Sequence, residues 1–305
     1  MTEHDQVFRH PASLDPTIST QSRLRRLSTL PPLPRTSQLL LQLLSDPDLD
    51  MLRLAELVEQ TPALAARILG VANSAFFARA TAVRDVPDAI IRVLGLDLVR
   101  DLSISFVLSQ PFDSRKCARF EPIRYWSGAM ASAALAQLLA ERLSAGKAPT
   151  PAEAYLAGLL QNLGLLALVH VVPDAMQVVF TQAERDQSAD LRVIEHQVMG
   201  LDHAIAGAEV ASAWRLPPKF AVAMGPINAQ SRAAEHRTLV SLLLLSTQLR
   251  RGLRAGTDVT EDHDVLTACA GLGLEIVALP PLITQWRDRS AEINALASAF
   301  AGAGQ

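Results

Sequence analysis

Two carboxamide side chains, Gln161 and Asn162, lie in the middle of an apolar segment, AGLLQNLGLLAL at residues 157–168. A carboxamide carries both donors and acceptors, so in a buried position it needs several hydrogen-bond partners. Its oxygen can bind a hard cation such as calcium, but it is a poor ligand for a catalytic transition metal. The pair therefore predicts either structural hydrogen bonds at a helix break, which Gly164 also indicates, or contact with a ligand.

Two further polar pairs adjoin apolar runs. Asp202 and His203 begin the segment DHAIAGAEVASAW, and aspartate is a preferred N-cap, so Asp202 is predicted to cap a helix. Asn73 and Ser74 follow the apolar run PALAARILGVA and are predicted to form a helix-ending turn. For both pairs, ligand contact is the alternative.

Other signatures of chemistry are missing from the sequence. It has no GxGxxG, GxxxxGK[ST], HExxH or GxSxG motif. Cys117 and Cys269 are isolated, which predicts reduced thiols and no zinc site. Arginines such as Arg67, Arg92 or Arg100 could hold a nucleotide phosphate if they converge, and the sequence leaves that open.

Composition limits the partners. Apolar residues make up 49% of the 305 residues, aromatic residues only 5%, and the net charge is −3. These values predict a sizeable core and argue against nucleic acid or an anionic membrane as a partner. The apolar run at 238–249 is too short to span a bilayer, and the N-terminus has no signal-peptide pattern. We therefore expect a cytoplasmic protein without a membrane span.

The elements that position these residues are predicted to be helices, because apolar residues recur at spacings of three and four. Helix starts are marked by Thr61 before Pro62, by Asp85, and by a capping box of Thr150 and Glu153. A helix over about 35–45 is predicted to bury one leucine stripe, formed by Leu39, Leu40, Leu43 and Leu44. The fold class is all-α.

The chain divides into three parts on the sequence pattern. Residues 1–29 form a polar arm with a first helix, and a compositional break near 225–235 separates residues 30–228 from an extension at 229–305. The extension is predicted to hold helices at 236–253, 262–270 and 281–301. Its first helix is apolar nearly all round, so it either completes the core or leaves a surface for a partner.

Five segments in chain order give residues 30–228 a resemblance to the HDOD domain, a bacterial relative of the metal-dependent HD phosphohydrolases. They are the opening from LPPLP to the Asn73–Ser74 pair, the VPDAIIRVLGLDLVRDL helix pair, the long helix led by Trp126, AEAYLAGLLQNLGLLAL, and VMGLDHAIAGAEVASAWRLPP. The resemblance implies an HD-like helical bundle and a role in bacterial signalling. Trp126 is expected to be a core aromatic residue, with ligand contact as the alternative.

The resemblance also implies that a metal site has degenerated. Where metal-dependent relatives carry ligands, this chain has Gly128, Gln161, Asn162, Ile227 and Asn228, and only His203, with Asp202 beside it, keeps the pattern. A single imidazole does not assemble a metal centre, so we expect no metal, no cofactor and no catalytic residue.

Three functions remain open at this point. We favour a non-catalytic regulatory module that binds another signalling protein. A receptor for a nucleotide, such as a cyclic dinucleotide, in the degenerate pocket is the alternative, and a metal-dependent phosphohydrolase with unusual ligands is the third. A homo-oligomer also stays open.

Overall fold

The computed structural model describes residues 30, 32–46, 48–74, 77, 82–143, 149–186, 189–226 and 236–302. Within these residues the regular structure is helical and contains no strand, which confirms the all-α prediction. In chain order the helices are α1 (Arg35–Leu44), α2 (Met51–Glu59), α3 (Pro62–Ala72), α4 (Val86–Ala89, continued by a π-helical turn at Ile90–Leu94), α5 (Leu96–Ser109), α6 (Pro122–Ala140), α7 (Pro151–Leu160), α8 (Leu163–Val171), α9 (Pro173–Arg185), α10 (Leu191–Met199), α11 (His203–Ala213), α12 (Pro218–Met224), α13 (Arg237–Ala255), α14 (His263–Leu272), α15 (Leu279–Asp288) and α16 (Ser290–Gly302).

The helix starts are largely those that the sequence predicts. The Asp85 carboxylate accepts a hydrogen bond from the backbone N–H of Asp88, and Thr150 and Glu153 form the predicted capping box. Thr61 occupies the N-cap of α3, but its side chain makes no capping bond. Pro62 at the first helical position removes one of the N–H groups that would need a cap.

The predicted leucine stripe of α1 is partly wrong. Leu41 and Leu44 are buried, whereas Leu39 is 60% exposed and Leu43 is 36% exposed. The helix is therefore rotated so that Leu41 and Leu44, three residues apart, form its inner face.

The long helix α6 connects two cores. Trp126, Met130 and Ala133 in its first half pack in the larger core, which also holds Phe300 of α16. Leu135 and Leu138 in its second half pack in a smaller core. That core is formed with α13, α14 and α15 by Leu242, Leu245, Leu249, Val265, Cys269 and Leu282. Apolar side chains of the extension are thus buried against the same helix that runs through the domain.

The extension contains one more helix than predicted. The expected helix at 281–301 is interrupted at Arg289, so that α15 ends at Asp288 and α16 begins at Ser290. The break lets α15 cover the smaller core while α16 covers the larger one.

Glycine residues permit the closest helix crossings. A Cβ on Gly164 would overlap the carbonyl oxygen of His203 and would lie 2.9 Å from the Cα of Gly207. A Cβ on Gly158 would lie 2.5 Å from the Cα of Ala133. Gly164 therefore lies inside α8 and brings α8 against α11. The helix break is the turn at Gln161 and Asn162 that precedes it.

The stretch Pro151–Val171, which spans α7 and α8, is long and apolar enough to cross a membrane by length and composition. In the structure 72% of an apolar 18-residue part of this stretch is buried inside the fold. Core helices of globular proteins meet the same criterion when they are apolar all round, so burial explains its composition.

We expect Gly164→Ala to destabilise the fold by about 1–3 kcal/mol or more, because a methyl group there meets backbone atoms that cannot rotate away. Gly271→Ala is the matched control: it also lies in a helix, and no atom lies within 4 Å of its added Cβ. There the substitution should be neutral or stabilising by about 0.5–1 kcal/mol. Urea unfolding of both variants measures the difference, and equal stability would contradict the close crossing.

Candidate functional site

Three of the degenerate metal-site positions lie around one cavity. Gly128 of α6, Asn162 before α8 and His203 of α11 line a cavity of about 210 Å³ that is closed on its other side by α13. A single water needs only about 10–15 Å³ on this kind of measure, so the cavity can hold a small molecule. Ile227 and Asn228 lie outside the described residues.

Arg250 of α13 approaches the cavity at Gly128. Its Nη1 atom lies 3.7 Å from the point that a Cβ of residue 128 would occupy. A histidine at residue 128, as in the metal-dependent relatives, would have to direct its ring past this guanidinium. Gly128 therefore leaves room for the guanidinium of Arg250.

The two carboxamides have different surroundings. The Oε1 atom of Gln161 accepts a hydrogen bond of 3.0 Å from the Thr247 hydroxyl of α13, and its Nε2 donates to the carbonyl of Gly158 at 3.3 Å. The backbone carbonyl of Asn162 accepts a bond of 3.5 Å from the Tyr125 hydroxyl. No hydrogen bond joins the Asn162 side chain to another residue of the described chain. Gln161 thus fastens α13 to the helix break, and Asn162 offers its amide to the cavity.

Asp202 is the N-cap of α11, as the sequence predicts. Its Oδ1 accepts from the backbone N–H groups of Ala204 at 3.0 Å and Ile205 at 2.9 Å. Its Oδ2 accepts from Nε and Nη2 of Arg192 at 3.0 and 2.7 Å. Burial alone would raise the pKa of Asp202, but these bonds outweigh it and lower the pKa below its usual value. The carboxylate is therefore fully engaged within the protein.

His203 is held by a buried carboxylate. Its Nδ1 lies 2.7 Å from Oε2 of Glu195, which also accepts a 2.9 Å bond from the backbone N–H of His203. Burial opposes a charge on the imidazole, but the nearby Glu195 carboxylate and its hydrogen bond raise the pKa of His203 above its usual value. Glu195 therefore fixes the orientation of the His203 ring through Nδ1.

The arginines of the site are the residues that sequence analysis missed. The cavity is lined by Arg119, Arg124, Arg192, Arg250, Arg251 and Arg254. Three of them form ion pairs: Arg119 with Glu184 at 2.8 Å, Arg192 with Asp202, and Arg251 with Asp190 at 3.1 Å. A signal was present in the sequence, because Thr247, Arg250, Arg251 and Arg254 have the spacing of one helix face.

The other three arginines have no carboxylate partner among the described residues. Arg124 and Arg254 are exposed, whereas Arg250 is half-buried, and its Nε atom is buried with no hydrogen-bond partner in the described chain. Burial lowers the pKa of Arg250, and the charge of Arg254 lowers it further, while Asp190 acts in the opposite direction. The pKa of Arg254 is likewise lowered by burial and by the charge of Arg124. The three guanidinium groups therefore repel one another.

Asn73 and Ser74 lie away from this cavity. The Asn73 amide donates to the carbonyls of Leu69 and Val83 at 3.0 and 2.9 Å, and its Oδ1 accepts from the backbone N–H of Val83 at 2.8 Å. The side chain thus ties the end of α3 to Val83. The Ser74 hydroxyl oxygen is buried and has no partner within the described residues.

Arg67 and Trp126 belong to the core. The Arg67 guanidinium donates to the carbonyl of Phe300 and lies over the rings of Phe106 and Phe300, at 5.0 and 5.2 Å from their centroids. The rings of Trp126 and Phe300 meet edge to face with centroids 4.6 Å apart. Arg67 and Trp126 therefore attach α16 to the larger core.

Arg92 and Arg100 do not converge on the cavity either. Arg92 pairs with Asp88 and Arg100 with Asp97, each on its own helix and each at 2.9 Å.

The side chains around the cavity do not form a metal-binding group. Across the part of the chain that the structure describes, no three His, Cys, Asp or Glu side chains are placed so that they could hold a metal ion. Among the described residues that line the cavity, His203 is the one histidine, and it faces the Glu195 carboxylate.

The described residues form a helical bundle around a cavity that several arginines line. The family model of the HDOD domain matches residues 30–228. The chain belongs to the HDOD family.

Solved structures have the same fold. A candidate signal transduction protein from Marinobacter aquaeolei is 28% identical with a TM-score of 0.77, over 95% of this chain and 67% of that one. A candidate phosphohydrolase from Shewanella amazonensis is 23% identical with a TM-score of 0.69, over 91% of this chain and 97% of that one. An HDOD domain protein of unknown function from Geobacter sulfurreducens is 20% identical with a TM-score of 0.63, over 92% and 98%.

A longer relative is known from sequence. An uncharacterized protein of Treponema pallidum is 26% identical over 237 residues, which are 76% of this chain. This chain spans 44% of the length of that relative.

The adjacent carboxamides should differ in their effect on stability. Gln161→Ala removes two hydrogen bonds, one of them to α13, and should lower the free energy of unfolding by about 1–2 kcal/mol. Asn162→Ala removes no side-chain bond within the described structure and should change it by less than about 0.5 kcal/mol. Denaturant unfolding of the two variants tests this, and a larger loss for Asn162→Ala would contradict the assignment.

Proposed function

We propose that this HDOD protein is a regulatory module of signal transduction that binds another protein and has no phosphohydrolase activity. The observation that carries the proposal is the approach of the Arg250 guanidinium to Gly128. Metal-dependent hydrolysis needs a cation held by imidazoles and carboxylates, which activates water and polarises the phosphoryl group. At this site neutral amides and a fixed guanidinium stand in place of those ligands.

Electrostatics supports the same conclusion. A divalent cation placed near Gly128 would be repelled by Arg250, and by Arg124 and Arg254 farther out, while Asn162 supplies no negative charge. Repulsion between close charges inside a protein amounts to several kcal/mol at an effective dielectric constant of about 20. Arg192 compensates the charge of Asp202 through two hydrogen bonds, and the Glu195 carboxylate faces His203.

The relatives support the signalling part of the proposal. The Marinobacter protein is described as a candidate signal transduction protein and is the one of the three solved structures above 25% identity. The Shewanella protein is similar in fold only at 23% identity, so its description as a candidate phosphohydrolase transfers no activity to this chain.

Exposed leucines support a protein partner. Leu39 and Leu43 lie four residues apart on α1 and are 60% and 36% exposed, and Leu52 of α2 is 64% exposed. Large apolar side chains that share an exposed helix face are the kind that partners cover.

A receptor for a small anion is the second candidate function, and the arginines of the cavity favour it over hydrolysis.

The purified protein should contain far less than one iron, manganese or zinc ion per chain after dialysis. It should not release nitrophenolate from bis(p-nitrophenyl) phosphate when manganese is added. Elemental analysis and the colorimetric assay measure both. One or two tightly bound metal ions per chain, together with hydrolysis that His203→Ala abolishes, would overturn the non-catalytic assignment.

The partner prediction is tested with the double variant Leu39→Ser and Leu43→Ser. It should lose a protein that wild type retains in affinity purification from its own cells, since each buried leucine contributes about 1.5–3 kcal/mol. Ile123→Ser is the control, because Ile123 is 51% exposed but lies on α6. Equal recovery of the partner by wild type and the double variant would show that α1 is not the interface.

A further inference from the structure

We propose that the cavity lined by Arg124, Arg250 and Arg254 binds a nucleotide, with these arginines on its phosphate group and the aromatic side chains of the cavity beside its base. The inference rests on the proposed function and deepens it, because the nucleotide would be bound without being hydrolysed.

The guanidinium of Arg250 has no carboxylate partner among the described residues. A buried polar group without a hydrogen bond is costly, and a buried charge is more so. The Nε atom of Arg250 is buried and has no partner among the described residues, and the charge of Arg254 disfavours the charge of Arg250 further. A phosphate in the cavity would supply the opposite charge beside this guanidinium, whose Nη1 lies near Gly128.

The three arginines line the same cavity from two helices. Arg250 and Arg254 lie four residues apart on α13, and Arg124 faces them from α6. Arginine binds phosphate through its planar fork of donors, and several forks around one group are typical of phosphate recognition. Glu121 and Asp186 also line the cavity, but both are exposed. Half-buried Asp190 lines the cavity as well, but it pairs with Arg251, so Arg250 is left without a carboxylate partner among the described residues.

Aromatic side chains also line the cavity, and they favour a phosphate compound that carries a flat ring. Phe120, Tyr125 and Phe180 line the same cavity, with Phe120 centred 5.8 Å from Tyr125 and 6.2 Å from Phe180. A base can stack on such rings, and the free amide of Asn162 can both donate to and accept from the edge of a base. A nucleotide combines a phosphate with a flat base whose edge is polar, so it matches the arginines, the aromatic rings and the amide of the cavity.

The test is isothermal titration calorimetry of the full-length chain in EDTA. The probes are AMP, GMP, adenosine, guanosine and inorganic phosphate. At least one nucleotide should bind, and its nucleoside and inorganic phosphate should each bind about tenfold more weakly or not at all, since one charged hydrogen-bonded contact is worth about that much. The nucleotide affinity should fall as salt is added.

Two variants separate binding from folding. Arg250→Gln should weaken nucleotide binding by about tenfold or more. Its melting temperature without ligand should be at least that of wild type, because an unpartnered charge is removed. Arg237→Gln is the control: it removes the same charge from the exposed start of α13 and should leave affinity unchanged. Should Arg250→Gln fail to fold, Arg124→Gln tests the same site from the exposed side of α6.

Several outcomes would overturn the inference. Equal affinity for nucleotide and nucleoside, equal affinity for nucleotide and inorganic phosphate, or no binding by any probe would each do so, and all three leave the non-catalytic assignment intact. Binding that appears only with manganese and is followed by phosphate release would instead overturn the proposed function.

Discussion

The approach of α13 to α6 at Gly128 is the contact on which both the fold and the site depend. The Nη1 atom of Arg250 in α13 lies 3.7 Å from the point that a Cβ of residue 128 in α6 would occupy. The same helix pair carries the smaller core, in which Leu138 of α6 packs with Leu245 and Leu249 of α13. Packing that stabilises the extension therefore also fixes a guanidinium in the cavity, so the extension is part of the site.

Asn162 fits this arrangement for an electrostatic reason. An aspartate at residue 162 would bring a carboxylate to the cavity that contains Arg250, and the two would form an ion pair in a partly buried place. The positive charge of the cavity would then be neutralised from within. The neutral amide keeps the volume of aspartate without its charge. Asn162 therefore adds no negative charge beside the guanidinium of Arg250.

Much of the fold follows from local sequence signals. Asp85, Thr150 and Asp202 mark helix starts because their side chains accept hydrogen bonds from helix N–H groups only a few residues away, so no distant part of the chain is needed. The rotation of a helix about its own axis, in contrast, depends on contacts with distant parts of the chain. The sequence of α1 offers two leucine pairs, and only contact with the rest of the core determines that Leu41 and Leu44 face inward.

The candidate site could be predicted only in part, because its residues come from segments distant in sequence. The positions of Gln161, Asn162 and His203 follow from the family pattern, but their different hydrogen-bond partners depend on where α13 lies. An arginine on a helix is usually solvated, and Arg92 and Arg100 satisfy that expectation with carboxylates on their own helices.

Arg250 differs because α13 is apolar on the faces that α6 and α14 cover. A helix that is packed on several sides cannot turn all of its arginines toward water. Charged residues within a helix that is otherwise apolar are therefore the signal that a closer inspection of the sequence could have used, since burial of such a helix brings its charges toward the interior.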